Sequence, residues 1–87
     1  MRYYVFAIEQ TIKNGELQEY ATSEKVESEQ LSISKYYKKL SDVAADIGKN
    51  HTFMEIRIFN SIGGNIKHDV LGKYLEQLPE TVQESQS

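Results

Sequence analysis

The chain reads as a two-layer α+β domain: a four-stranded, mainly antiparallel sheet with one long helix on one face, in the order ββ-α-ββ. Two stretches alternate with period two, and each folds back at a turn that carries glycine. Between them lies a single run with apolar residues three and four apart.

From Arg2 to Ile12 the residues alternate. Tyr4, Phe6, Ile8 and Ile12 fall on one side; Tyr3, Val5, Ala7, Glu9 and Thr11 fall on the other. Asn14-Gly15 follows. Both central positions of a type I′ turn need positive φ, and Asn-Gly supplies it at low cost. A two-residue loop sets Lys13 against Glu16, Ile12 against Leu17, Ile8 against Ala21 and Glu9 against Tyr20.

The polar stretch from Ser23 to Glu29 reads as the end of the second strand and a connector. Ser28 suits a helix N-cap, and Glu29 then sits beside the positive end of the helix dipole. Ile33, Tyr36, Tyr37, Leu40, Val43, Ala44 and Ile47 mark an amphipathic helix over 28–47, closed by Gly48.

His51 to Ser61 alternates again, with Met54, Ile56 and Ile58 on one side and Phe53, Glu55, Arg57 and Phe59 on the other. Gly63-Gly64 turns the chain, and Asn65 to Leu71 returns. A two-residue turn there would set Asp69 against Ile58 on the buried face. An unpaired buried carboxylate is costly, so a three-residue loop with a bulge is preferred. That loop places Ile66, His68 and Val70 inside and lets Arg57 approach Asp69. Gly72 to Leu78 reads as a short helix or an irregular cap. Residues 1–78 make the domain; 79–87 form a polar, acidic tail too poor in apolar groups to order itself.

Composition narrows function. Without cysteine there is no disulfide, no thiolate nucleophile and no Cys-type zinc site. No apolar run approaches the ~20 residues of a membrane helix. The opening Met-Arg-Tyr-Tyr-Val-Phe-Ala-Ile, broken by Glu9, is too short for a secretory leader. A cytoplasmic protein is expected. The net charge of −3 argues mildly against nucleic acid, but Glu76, Glu80 and Glu84 account for all of it, leaving residues 1–75 neutral.

A single helix covers one face of a sheet. The expected covered set is Tyr4, Phe6, Ile8, Ile12, Leu17, Ala21, Met54, Ile56, Ile58, Ile66 and Val70. The open face then carries Tyr3, Val5, Tyr20, Phe53, Arg57 and Phe59, and aromatic area rimmed by charge is typical of an interface. These six are the candidate partner-binding residues. The expected function is non-enzymatic protein binding through this face as a homodimer, with no cofactor, metal or small-molecule substrate.

Other residues offer alternatives. Lys35, Lys38 and Lys39 with Tyr36 could meet a nucleic acid by phosphate pairing and base stacking, although Asp42 and Asp46 make that helix surface mixed in sign. His68 with sheet carboxylates could serve a small ligand-binding protein or enzyme. Its neighbour Asp69 points to the opposite face of the strand, so the two form no dyad. His51 suits a helix C-terminus. Gly63-Gly64 fits no phosphate-binding motif.

Overall fold

The computed structural model describes residues 1–78; the tail expected to be disordered, 79–87, lies outside the described residues. The chain runs β1 (Tyr3–Lys13), β2 (Glu16–Val26), α1 (Glu29–Ala44), β3 (His51–Asn60) and β4 (Asn65–Gly72). The strands form one sheet in the order β2-β1-β3-β4, and each neighbouring pair is antiparallel. The helix packs on one face, giving the two-layer α+β fold.

Local chemistry sets the first hairpin. Asn14 and Gly15 both take positive φ, and the register from Lys13–Glu16 to Tyr3–Val26 is unbroken. Ser28 caps α1, its side chain accepting from the Leu31 amide at 3.1 Å. The helix stops at Ala44, short of the expected Ile47. Asp46 organises the turn that follows: its carboxylate accepts the His51 amide at 3.1 Å, and Gly48 takes φ 88°. Ile47 still packs against the core from this turn.

The core holds Val5, Ala7 and Val26 from the hairpin, Met54, Ile56 and Ile58 from β3, and Tyr36 and Val43 from α1. The helix therefore covers the odd-numbered side of β1, opposite to the expected side. Val5 pairs with Ile58 and Ala7 with Ile56, so odd residues of β1 share a face with even residues of β3. Tyr4, Phe6, Ile8, Arg57, Glu55, His68 and Val70 fall on the uncovered face. The physical reason is register: a one-residue shift exchanges the two faces of a strand, and no tight turn joins β1 to β3.

The second hairpin differs from both loops considered. Ser61 to Gly64 connect the strands, and the register shifts by one residue between Ile58 and Phe59. Asp69 stands opposite Ile56, on the helix side. Its compensation is the Tyr36 hydroxyl, which donates to Asp69 Oδ2. β4 is an edge strand, so the carboxylate also keeps contact with water. His68 and Val70, expected inside, are exposed on the open face.

Beyond Gly72 the chain crosses the open face without forming the short helix considered. The Gln10 side chain satisfies both backbone groups of Leu75, donating to its carbonyl at 2.6 Å and accepting its amide at 2.8 Å. A side-chain amide thus takes the place of a helical ladder.

Candidate functional site

The open face is a grid whose rows follow the strand pairing. Its first row is Lys25, Tyr4, Phe59 and Asn65; the second holds Ser23, Phe6, Arg57 and His68; the third holds Ala21, Ile8, Glu55 and Val70. A fourth row of Glu19, Gln10, Phe53 and Gly72 lies beneath the C-terminal segment. Tyr74 meets Phe53 edge to face at 5.5 Å between centroids, and its hydroxyl donates to Glu19 at 2.7 Å.

Tyr4 and Phe59 stack at 5.4 Å. Tyr4, Phe6, Ile8 and Phe59 are half-buried by one another, and no other layer among the described residues covers them. Beside them lies a polar trio: Arg57 Nη2 and His68 Nε2 meet Glu55 Oε2 at 2.7 and 2.8 Å. The hydrogen bond from Arg57, then that from His68, holds the Glu55 carboxyl below its ordinary range.

Of the six expected partner-binding residues, Phe53, Arg57 and Phe59 lie on this face, with Phe53 under Tyr74. Tyr3, Val5 and Tyr20 lie on the helix side, Val5 within the core and Tyr3 packed against it. Tyr4, Phe6 and Ile8 take their places. Alternation alone could not reveal this, because both residue sets of β1 are rich in apolar groups and each could form a core.

The helix lysines line a groove between α1 and β2, a space of about 540 Å³ floored by Val5 and Ala7. Each ammonium faces a carboxylate: Lys35 meets Glu24 at 3.0 Å, Lys38 meets Asp42 at 3.4 Å and Lys39 meets Glu9 at 2.6 Å. Tyr36, expected as a stacking platform, is wholly buried. Its place in the apolar stripe of α1 turns it onto the sheet, so no ring face is left for a base.

A second polar centre lies under the C-terminal end of α1. Glu9, expected on the open face of the sheet, is 2% exposed. Its Oε1 meets His51 Nε2 at 2.8 Å and accepts from the Tyr20 hydroxyl at 3.3 Å; its Oε2 faces Lys39. On its other side His51 Nδ1 meets Asp46 Oδ2 at 2.7 Å. Both ring nitrogens thus face carboxylate oxygens. Burial pushes the Glu9 carboxyl up, but Lys39 and His51 outweigh it and hold the group below its ordinary range. Asp46 is lowered chiefly by its bond to His51. This chain of polar contacts ties β1, α1 and the following turn together. Both imidazole nitrogens are engaged within this centre.

Among the described residues no group of three or more acidic or histidine side chains is disposed to hold a metal ion, and no helix is long and apolar enough to cross a membrane. No protein-family model matches the chain, and neither a curated protein nor a solved structure does.

Proposed function

We propose that this chain is a non-enzymatic, cytoplasmic protein-binding domain that uses the open face of its sheet, with a second copy of itself as the partner. One observation carries the reading. The two central strands present Tyr4, Phe6, Ile8 and Phe59 on the side opposite the helix, where nothing among the described residues covers the first three rows. Apolar sheet faces of this kind gain free energy by stacking on another layer.

The face also carries both signs of charge. Arg57 and Glu55 of one copy can meet Glu55 and Arg57 of another about a two-fold axis, so the surface is self-complementary. Strand spacing makes the uncovered tile roughly 20 Å on a side, or ~400 Å². Specific complexes bury about 800 Å² per partner, so this face alone supports weak, concentration-dependent association.

Sedimentation velocity over a concentration series tests the reading. Phe59→Ser removes half of the Tyr4–Phe59 stack from a half-buried position. It is expected to weaken association at least tenfold with unchanged far-UV circular dichroism. Undiminished association of the folded variant would remove the open face as the binding surface.

A further inference from the structure

We propose that β2 is a second contact between copies of this chain, two β2 strands pairing edge to edge, antiparallel, in a register centred on Thr22. The proposal extends the open-face reading, because the pairing enlarges that face.

The two edges of the sheet are built differently. β4 has eight residues and a register break beside Phe59. β2 has eleven residues, no proline and an unbroken register along its whole length. Edge strands without bulge, proline or cover are templates for another strand. Nor does α1 cover this one: every residue from Gln18 to Lys25 is exposed, whichever face it belongs to, including Tyr20 at 43%.

Hydrogen-bond alternation limits the registers. Lys13 and Glu16 close the two-residue turn as a hydrogen-bonded pair, so even-numbered residues of β2 turn their backbone groups toward β1. Odd-numbered residues turn theirs outward. Antiparallel copies must therefore match odd residues with odd, which also keeps matching faces together.

Charge then selects among the permitted registers. Centred on Tyr20, Glu16 opposes Glu24 twice. Centred on Ala21, Lys25 opposes Leu17. Centred on Ser23, Glu19 opposes Glu27 twice. Centred on Thr22, Lys25 opposes Glu19 at both ends, Ala21 opposes Ser23, and the two Thr22 side chains meet at the middle. Opposite charges and threonine pairs across strands are stabilising, and like charges are not. Lys25 makes no ion pair among the described residues, and Glu19 bonds Tyr74 through one oxygen, Oε1.

The symmetry has a consequence for the face. A two-fold axis normal to the sheet keeps both helices on one side and both aromatic faces on the other. Two copies become one eight-stranded sheet whose uncovered face is doubled to ~800 Å², the area of a stable interface. Two such dimers stacked by that face make a tetramer.

Cysteine placement and charge exchange test the pairing in the full chain, which has no native cysteine. Thr22→Cys is expected to form an intermolecular disulfide under mild oxidation, since opposed residues of a non-hydrogen-bonded pair lie within disulfide reach. Adding Lys25→Glu or Glu19→Lys to Thr22→Cys should reduce that cross-link at least tenfold, and both exchanges together should restore it. Phe59→Ser should leave a cross-linkable dimer in place of the tetramer. Absence of the cross-link in folded protein, or a cross-link indifferent to Lys25→Glu, would overturn the edge pairing. Association that survives Lys25→Glu but is lost with Phe59→Ser would sustain the open face alone. Monomers at ~100 μM for the unmodified chain would overturn both contacts.

Discussion

The Tyr36 hydroxyl donates to the Asp69 carboxylate, joining the wholly buried side chain of α1 to the edge strand β4. This bond lets an acidic residue stand on the helix-covered side of the sheet. Burial first, then the bond to Asp69, pushes the Tyr36 phenol well above its ordinary range. Hydrogen bonds to charged groups contribute roughly 1.5–3 kcal/mol. Tyr36→Phe keeps the ring and removes only the donor, so it should cost about that much in urea denaturation. A loss below ~0.5 kcal/mol would show that water replaces the phenol at Asp69 without penalty.

Glu9 contributes to the acid limit of stability. Its carboxyl, ordinarily near 4.5, and that of Asp46, ordinarily near 3.8, are both lowered in the folded chain. A carboxyl lowered on folding adds stability above its ordinary value, and that stability is lost as pH falls through the folded value. The urea midpoint should therefore drop as pH falls below about 4.5. Glu9→Gln leaves Lys39 and His51 beside a neutral amide and should cost about 3 kcal/mol at pH 7. It should also flatten the acid slope; a slope equal to that of the parent chain would rule out Glu9 as its source.

Gly72 takes φ 71°, and a Cβ there would fall on the Thr52 carbonyl oxygen. That same oxygen accepts the Lys73 amide at 2.8 Å, so it cannot easily withdraw. Gly63 has φ 90° but open space around it. Gly72→Ala should cost more than ~2 kcal/mol, whereas Gly63→Ala should cost ~1 kcal/mol from backbone strain alone. Thermal melts of the two variants side by side make the comparison, and equal losses would contradict it.

Gln10 holds the C-terminal segment down through Leu75 and also accepts from Thr52 Oγ1 at 2.6 Å. Gln10→Ala should release Lys73 to Leu75 and uncover Phe53, with a stability loss of about 1–3 kcal/mol. Hydrogen exchange at the Leu75 amide should accelerate more than tenfold while amides of β3 stay protected. Unchanged protection at Leu75 would mean that the Tyr74 contacts suffice to hold the segment.

The legible parts of the fold are those encoded over short distances. Asn14-Gly15 dictates its own turn, and the turn dictates every pairing out to Val26. Ser28 and the apolar spacing from Ile33 to Val43 dictate the start and inward face of α1. The later glycines were less informative: Gly63-Gly64 sits in a four-residue connection whose bulge no dipeptide pattern specifies.

The candidate site was legible only in part, for a related reason. Phe53, Arg57 and Phe59 were placed correctly on the open face because β3 has one clearly apolar set, Met54, Ile56 and Ile58. β1 has two, and the larger residues Tyr4, Phe6 and Ile8 look like the better core. The helix instead covers Val5 and Ala7, with Tyr36 filling the layer between α1 and the sheet. The buried Glu9 follows from the same choice: on that side its carboxylate is met by Lys39 and His51.

By itself the sequence determined the elements, the first hairpin's register and the existence of one uncovered sheet face. The tertiary structure decided which side of β1 that face presents, through the pairing of Val5 with Ile58. Those residues are brought together across a helix and two connectors. A one-residue change in such a pairing exchanges the two faces, and nothing local to either strand sets it.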